Sequence, residues 1–539
     1  MALDLTSLPL HKEKLSFREY QHAIAQSALE KGNTLVILPT GLGKTVVAVL
    51  IIASILAKGG RVLFLAPTKP LAEQHGKRLR EFLSIPEDEI VVLTGETKAS
   101  GRKALWGRAK IIAATPQTVQ NDLKKERASM ENFKLAIFDE VHRTVGKYAY
   151  NYVAEKCLAS KLLILGLTAS PGSSQKKIKD VVESLGIQNI ELRAELDEDV
   201  AKYTMPMDVS WIKVELPLEF VILKTRLEEL ISEHMRPLKE LGFIWGNPKM
   251  IPKRALMEMR ARILSARNPQ IKFKAISHHA ALFNLVHAHE LLETQGMHTF
   301  LTFFKRLGER EDKSKAVLGI LNNPMMIHLL ADAQKLNMEH PKLAKLCEVL
   351  KAREKNTFIV FVQYRDQISK IVSEINKISG MHAVAFIGKR EGVSQKQQKE
   401  TIEAFRNSEF NVLVASSIGE EGLDIPSVDT VIFYEPIPSE IRTIQRRGRA
   451  GRAKAGEVVV LITSNTRDEA YYWVSRKREE KMKRIVERFQ RSFSKKSEVG
   501  LLAKKRTPPP QSTARKSPLT PIRNKARERR QTSMSEFLS

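Results

Sequence analysis

The sequence predicts an α/β protein with two parallel-sheet lobes and an all-helical domain inserted between them. Three observations carry this. From Asn33 to Leu192, short runs that are apolar on both faces alternate with helical stretches, the pattern of buried parallel strands covered by crossover helices. The same alternation returns from Phe358 to Ile462. Between them, from Leu216 to about Leu336, apolar residues recur at three- and four-residue spacing, as Leu227, Leu230, Ile231, Met235 and Leu238 show, with no strand-like run. That spacing marks helices with one buried face.

In the first lobe, strands are expected at Thr34–Leu38, Arg61–Leu65, Ile90–Leu93, Lys110–Ala113, Leu135–Phe138 and Leu162–Leu167, with helices such as Lys44–Ala57 and Pro70–Leu83 between them. In the second, strands are expected at Phe358–Val362, Ala383–Ile387, Asn411–Ala415, Thr430–Tyr434 and Val458–Ile462, followed by a charged helix near Arg467–Gln490. After Ser494 the chain turns rich in Pro, Ser, Thr, Lys and Arg. Such a segment has too little apolar surface for a core and reads as a disordered basic tail. The organisation expected is a first lobe over 1–204, an insert over 205–345, a second lobe with its trailing helix over 346–493, and a tail over 494–539.

The 539 residues carry a formal net charge of +27. An excess of that size favours a polyanionic partner, because each cation set on a phosphate releases counterions. Only Cys157 and Cys347 are present, which excludes a disulfide framework and a Cys-rich zinc site. The longest apolar stretch, Val46–Ala57, is well short of the roughly 20 residues a membrane helix needs. The N-terminus has no apolar signal core before Phe17. A cytoplasmic protein, nucleoid-associated in a prokaryote or archaeon, is the expectation.

The strongest local signal is Pro39-Thr40-Gly41-Leu42-Gly43-Lys44-Thr45, set between an apolar strand and a helix. Gly41 and Gly43 let backbone amides approach phosphates that a Cβ would obstruct. Lys44 can reach the β- and γ-phosphates of ATP, and the Thr45 hydroxyl can ligate Mg²⁺. The helix N-terminus adds partial positive charge. Leu38 stands where the usual phosphate-loop motif has its first glycine. The partner motif is Phe138-Asp139-Glu140-Val141-His142, directly after an apolar strand. Asp139 at a strand end suits Mg²⁺, and Glu140 suits orientation and deprotonation of the attacking water.

With these and further motifs in order, the chain from Phe17 to Ile462 resembles a superfamily-two helicase, and the resemblance implies two RecA-like lobes. Arg18-Glu-Tyr-Gln21 resembles the adenine-recognition motif, with Gln21 as base reader. Pro67-Thr68-Lys69-Pro70 and Ala114-Thr115-Pro116 resemble first-lobe strand-binding motifs. Thr168-Ala-Ser170 resembles the motif that couples the ATP site to the track, a role His142 shares by resemblance. Ser417-Ile-Gly419-Glu-Glu-Gly422-Leu-Asp424 and Gln445-Arg-Arg-Gly-Arg449-Ala-Gly-Arg452 resemble the fifth and sixth motifs. By resemblance Gly419 touches the strand, Gly422 and Asp424 touch nucleotide, Gln445 couples, and Arg449 and Arg452 are arginine fingers. The two arginines lie three apart on an expected helix, so they face one way.

Within that superfamily the chain resembles the archaeal Hef helicase and its eukaryotic relative, the Fanconi anaemia group M translocase. The likeness rests on DEVH, TASP, GEEGLD, QRRGRAGR and the helical insert. It implies forked or branched DNA as substrate, sequence-independent translocation and 3′-to-5′ polarity. No stretch after Ile462 reads as a nuclease domain, so strand cleavage is not expected. Innate-immune RNA sensors carry a similar insert, which keeps an RNA helicase as the alternative. A scaffold with a degenerate ATP site is disfavoured by the intact Lys44, Asp139, Glu140, Arg449 and Arg452.

The middle of the insert is basic. Arg254, Arg260 and Arg262, with Arg236, Lys239, Lys249, Lys253, Arg267, Lys272 and Lys274, face few acids and suit a clamp on duplex backbone. The turn Gly242-Phe-Ile-Trp-Gly246 reads as core packing, with a stacking aromatic at a fork as the other reading, and His278, His279, His287 and His289 lack the cysteine or carboxylate company of a zinc site. The last residues, Gln531-Thr-Ser-Met534-Ser-Glu-Phe537-Leu538, resemble a peptide that binds a sliding clamp of the PCNA type, except that Leu538 stands where a second aromatic is usual. A 3₁₀ turn would set Met534, Phe537 and Leu538 on one face.

Overall fold

The computed structural model describes residues 4–144, 149–172, 174–194, 197–203, 207–244, 251–336, 338–388, 393–416, 425–437 and 456–504. The first lobe holds, in chain order, α1 (Glu19–Lys31), β1 (Thr34–Ile37), α2 (Lys44–Ala57), β2 (Arg61–Leu65), α3 (Lys69–Phe82), β3 (Ile90–Leu93), α4 (Ala99–Arg108), β4 (Ile111–Ala114), α5 (Pro116–Lys124), β5 (Phe133–Asp139), α6 (Ala149–Ala159), β6 (Leu163–Thr168), α7 (Gln175–Ser184), β7 (Asn189–Leu192) and the short α8 (Glu198–Ala201). The sheet order is β3-β4-β2-β5-β6-β1-β7, with every pair parallel. Each strand expected in this lobe forms. β7 is an addition; its run Asn-Ile-Glu-Leu is too polar to stand out, and it forms because β1 offers it a complete register.

Strand β8 (Met207–Val214) leads out of the first lobe, but it belongs to the second sheet. This corrects the start of the insert, expected at 205. The insert itself is α9 (Leu218–Glu240), α10 (Lys253–Leu264), α11 (Pro269–Thr294), α12 (Met297–Gly308), α13 (Lys315–Leu321) and α14 (Pro324–Lys335). Leu227, Leu230 and Leu238 of α9 are fully buried, as their spacing requires. The second lobe adds α15 (Pro341–Lys351), β9 (Phe358–Phe361), α16 (Arg365–Ile375), β10 (Ala383–Phe386), α17 (Gln395–Arg406), β11 (Val412–Ala415), β12 (Thr430–Phe433) and β13 (Gly456–Thr463). Its sheet runs β10-β11-β9-β12-β13-β8, again all parallel. β8 escapes a reading by pattern because its face is mixed, with Trp211 exposed and Lys213 paired to Glu469. It is held by backbone register to β13 over Met207–Val214.

The charged C-terminal helix runs from Arg467 to Lys504, past Phe493 and into the segment expected to be unstructured. It starts on the second lobe and returns to the first. Met482 and Val486 are buried in the first-lobe core with Cys157, Ile178 and Val181, and Ile485 and Phe489 pack beside them. The helix is therefore amphipathic over that stretch in spite of its charge.

The root of the insert is joined to the second lobe by buried ions. Glu290 on α11 accepts from Lys253 at 2.7 Å, Tyr364 at 3.0 Å and Tyr471 at 3.2 Å, with Arg467 at 3.4 Å. Glu293, one turn on, lies 3.5 Å from Lys224 and 3.4 Å from Arg467. Burial pushes the carboxyls of both up, and the cations around Glu290 more than offset this, so Glu290 is lowered while Glu293 is raised. Beside them, Lys342 Nζ donates to Asp468 Oδ2 at 2.8 Å with both side chains out of solvent. Thr463 donates to the same carboxylate from its backbone N–H and its hydroxyl.

Lys342→Met leaves that carboxylate buried without its cation. We expect a loss of about 3–5 kcal/mol in unfolding free energy, the scale of an orphaned buried charge. Burial already raises the Asp468 pKa, and removing Lys342 raises it further. The folded variant then holds a proton that the unfolded chain gives up, so its deficit shrinks as pH falls. Urea denaturation of wild type and variant at pH 5 and pH 8 measures both effects.

Candidate nucleotide and strand-binding site

Strand order sets out the site. β1 delivers the phosphate loop, β5 delivers the two acids, and β6, between them, delivers Thr168 and Ser170. All three strands are parallel, so the three loops leave the same edge of the sheet.

In the phosphate loop Gly41 and Gly43 have φ of +94° and +79°, a region that L side chains rarely enter. Gly43 is excluded from substitution twice over, since a Cβ there would lie 2.3 Å from Nε2 of Gln21. Gly43 caps α2, so the amides that start at Lys44 point into the loop. The Lys44 ammonium donates to the carbonyls of Leu38 at 3.0 Å and Pro39 at 3.5 Å, within the cradle it would leave to meet phosphate. Thr40 stands at the loop tip and Thr45 in the first turn of α2, both half-buried.

Gln21 is buried and braces this loop. Its Nε2 donates to the Leu42 carbonyl at 3.1 Å, and its Oε1 accepts from the Arg18 N–H at 3.1 Å. Tyr20 donates to the same Leu42 carbonyl at 2.7 Å. Arg18 lies over the Tyr203 ring, 5.5 Å from its centroid. The motif expected to read adenine is thus tied to the phosphate loop through the Gln21 Nε2 and the Tyr20 hydroxyl.

Asp139 closes β5 with its carboxylate buried. Burial pushes its pKa up. A hydrogen bond and the charge of His75, with the charge of Lys44, outweigh that and hold it below the ordinary carboxylate value. Its backbone carbonyl accepts from Tyr150 Oη at 2.7 Å. Glu140 follows with φ of +49°, unusual outside glycine. Its Oε2 is buried and accepts no hydrogen bond among the described residues, with His142 Nδ1 3.3 Å away. A strained acid with an unsatisfied oxygen beside a buried carboxylate fits the chemistry expected of the pair. Asp139 and Thr45 would hold Mg²⁺, leaving Glu140 for water.

His142 Nδ1 lies 3.3 Å from Thr168 Oγ1. Thr168 donates to the Ser170 carbonyl at 3.0 Å and accepts from the Ser170 N–H at 3.1 Å. Ser170 donates onward to Met482 Sδ at 2.7 Å. A polar path therefore leads from the acids, through the coupling residues, to the C-terminal helix. Met482 was beyond sequence reasoning, as the contact spans more than half the chain.

The expected strand grips sit at helix starts. Thr68 precedes α3 and Thr115 precedes α5, with Thr115 Oγ1 2.9 Å from Thr118 Oγ1. Lys69 pairs with Glu73 at 3.4 Å and with Glu96. Glu73 also pairs with Lys399 of α17 at 3.2 Å, a contact from lobe to lobe. In the insert, Arg254 pairs with Glu258 at 2.7 Å, and Arg262 donates to the Phe243 carbonyl at 3.0 Å. At about 100° per residue, these two share one side of α10 and Arg260 lies on the other. All three side chains are exposed. Lys253, expected on the basic surface, is instead drawn into the buried Glu290 network.

The insert's histidines serve packing: His279 bonds the Leu256 carbonyl at 2.8 Å, and His289 meets Glu228 at 3.0 Å. His278 lies 3.2 Å from His234, and His287 packs edge-on to Phe303. Ile244 is buried and Phe243 half-buried, as the core reading of that turn expects, while Trp245 lies outside the described residues. So do Gly419, Gly422, Asp424, Gln445, Arg449 and Arg452, and Gln531, Met534, Phe537 and Leu538 of the tail.

Comparison with known proteins agrees with this layout. Residues 18–178 match the DEAD/DEAH box helicase family, 341–454 the helicase conserved C-terminal domain, and 220–340 the helical bundle of a putative ATP-dependent RNA helicase family. The crystal structure of the Pyrococcus furiosus Hef helicase domain superposes with a TM-score of 0.69 at 41% identity, covering 87% of this chain and 100% of that one. A putative ATP-dependent RNA helicase of Methanocaldococcus jannaschii is 43% identical over 89% of this chain and 62% of its own length. An ATP-dependent DNA helicase, mph1, of Neurospora crassa is 35% identical over 84% of this chain and 41% of its own. The chain thus spans less than two thirds of these curated relatives. With both lobes, the insert and the nucleotide motifs in common, the chain belongs to the superfamily-two helicases of the Hef and Fanconi anaemia group M kind.

Proposed function

We propose that this chain is an ATP-driven motor that moves on DNA and acts on forked or branched DNA in replication-fork repair. The observation that carries the reading is the nucleotide site: Lys44, Asp139 and Glu140 stand at one sheet edge, joined through His142, Thr168 and Ser170 to a helix rooted on the other lobe. Lys44 would leave the Leu38 and Pro39 carbonyls for the β- and γ-phosphates. Glu140 would orient water against the γ-phosphorus and take its proton. Bound Mg²⁺ supplies positive charge at the phosphate oxygens. Arg449 and Arg452 would complete the site from the second lobe, so that ATP closes the cleft and hydrolysis reopens it. Grips such as Thr68, Thr115 and Gly419 act on the sugar–phosphate backbone and carry no base information, so movement would be sequence-independent. The expected polarity is 3′ to 5′.

DNA is favoured by the DNA helicase named above and by the clamp-like tail. An RNA helicase is the second reading, favoured by the names of the Methanocaldococcus relative and of the helical-bundle family. ATPase rates with fork DNA, single-stranded DNA, duplex DNA and RNA compared side by side decide between them; the greatest stimulation by RNA overturns the first.

Three further outcomes are expected. Lys44→Ala and Glu140→Gln each abolish nucleic-acid-stimulated ATPase, while Glu140→Gln still binds ATP; near-normal turnover in either overturns their assignment. Arg452→Ala lowers turnover on the order of 10³-fold and leaves strand affinity without nucleotide unchanged. The reverse pattern makes it a track contact. Deleting Gln531–Ser539 removes binding to a PCNA-type sliding clamp in calorimetry and leaves ATPase and unwinding on naked forks intact, because Met534, Phe537 and Leu538 would fill the clamp pocket and Gln531 orient the peptide. Equal clamp binding by wild type and deletion, or none by either, overturns the tether.

A further inference from the structure

His75 fills none of the roles read from the sequence, yet it makes a side-chain hydrogen bond to the Asp139 carboxylate. It lies on α3 at a buried position, with Ala72, Gly76 and Leu79 on the same face. Its ring packs on Phe64 of β2, centroids 4.4 Å apart. Nε2 is 2.8 Å from Asp139 Oδ2. A carboxylate only accepts, so Nε2 carries the proton. Nδ1 is buried and has no hydrogen-bond partner. One oxygen of the carboxylate is thereby pinned, and Tyr150 fixes the backbone behind it.

The other end of α3 is the expected strand grip. Thr68 precedes the helix as its N-cap in extended backbone, seven residues before His75. Its Oγ1 is buried and has no hydrogen-bond partner among the described residues. Next to His75 the helix is closely seated: a Cβ at Gly76 would come within 2.4 Å of Val92 Cγ2, so helix and sheet touch backbone to side chain. Thr68 and His75 are thus set at one helical element, with the His75 end fixed against the sheet.

We propose that His75 is a positioning residue for Asp139, and that α3 makes the orientation of this metal-holding carboxylate answer to a nucleic-acid strand seated at Thr68. The proposal rests on the motor reading given above. It describes a second route from track to ATP site, separate from the one through Thr168 and Ser170. A hydrogen bond to a ligating carboxylate sets which oxygen faces the metal, and losing such a bond typically weakens metal binding 10- to 100-fold.

The test uses the full chain with a non-hydrolysable ATP analogue and Mn²⁺ as probe, titrated by electron paramagnetic resonance with and without a single-stranded oligonucleotide. Wild type should bind Mn²⁺ more tightly when the oligonucleotide is present. His75→Leu keeps an apolar group against Phe64 and removes the donor. It should weaken Mn²⁺ binding about tenfold and erase the oligonucleotide effect, with oligonucleotide affinity in the absence of nucleotide unchanged. His75→Gln returns an N–H near the Nε2 position and should restore part of both. Wild-type Mn²⁺ affinity and response in His75→Leu overturn the proposal, as does an equal loss in His75→Gln and His75→Leu accompanied by a matching fall in melting temperature, which makes His75 a packing residue. Wild-type Mn²⁺ affinity that ignores the oligonucleotide, while ATPase remains strand-stimulated, overturns the link and leaves the motor standing. Wild-type ATPase that answers to no nucleic acid overturns the motor reading, and the link with it.

Discussion

The placement of β6 between β1 and β5 is the constraint on which the nucleotide site depends. Parallel neighbours lie roughly 4.8 Å apart, so one intervening strand sets the phosphate loop and the acids about 10 Å from each other. That gap leaves room for phosphate, metal and water together. It also puts Thr168, which ends β6, midway between them, where it reaches His142. Nothing in the loops could make this arrangement if the sheet order were different, and the order holds because β1, β5 and β6 are largely buried and each paired on both edges.

The second lobe is bound to its surroundings in two ways. The insert is rooted through carboxylates that are almost wholly buried, and these are tolerable only because Lys224, Lys253, Arg467, Tyr364 and Tyr471 surround them. Buried ion pairs are weak sources of stability, but they are strict about geometry. The C-terminal helix then leaves the same network at Arg467 and carries Met482 and Val486 into the first-lobe core. The helix thus starts in the ions that hold the insert and sets Met482 against Ser170 of the coupling motif.

The acids themselves show how the fold allots strain. Glu140 is held at positive φ with an unsatisfied buried oxygen, a local cost that the surrounding packing must offset. Asp139 beside it is satisfied from both sides, by Tyr150 at its carbonyl and His75 at its carboxylate. Among the described residues, the residue expected to handle water keeps one carboxylate oxygen outside any hydrogen bond, and the residue expected to hold metal is fixed in place.

Sequence alone determined whatever depends on neighbours along the chain. The phosphate loop is legible because glycine at 41 and 43 and lysine at 44 are needed within one turn. The acids are legible because they end an apolar strand, and the lobes because buried parallel strands are continuous apolar runs. Tertiary structure decided what depends on partners far away. Strand β8 joins the second sheet through backbone register with β13, more than 200 residues on, and backbone hydrogen bonds leave no mark on side-chain pattern. Lys253 reads as one more surface cation until Glu290 takes it. Helix Arg467–Lys504 reads as solvated until its apolar minority meets the first-lobe core. His75 sits at a helical core spacing that shows only that it is buried; that it faces Asp139 follows from α3 packing over β2, which lies beside β5 in the sheet. Local chemistry is written in short spacing, whereas contacts that close long loops are chosen by the packing of the whole, and the sequence carries them only as unremarkable single residues.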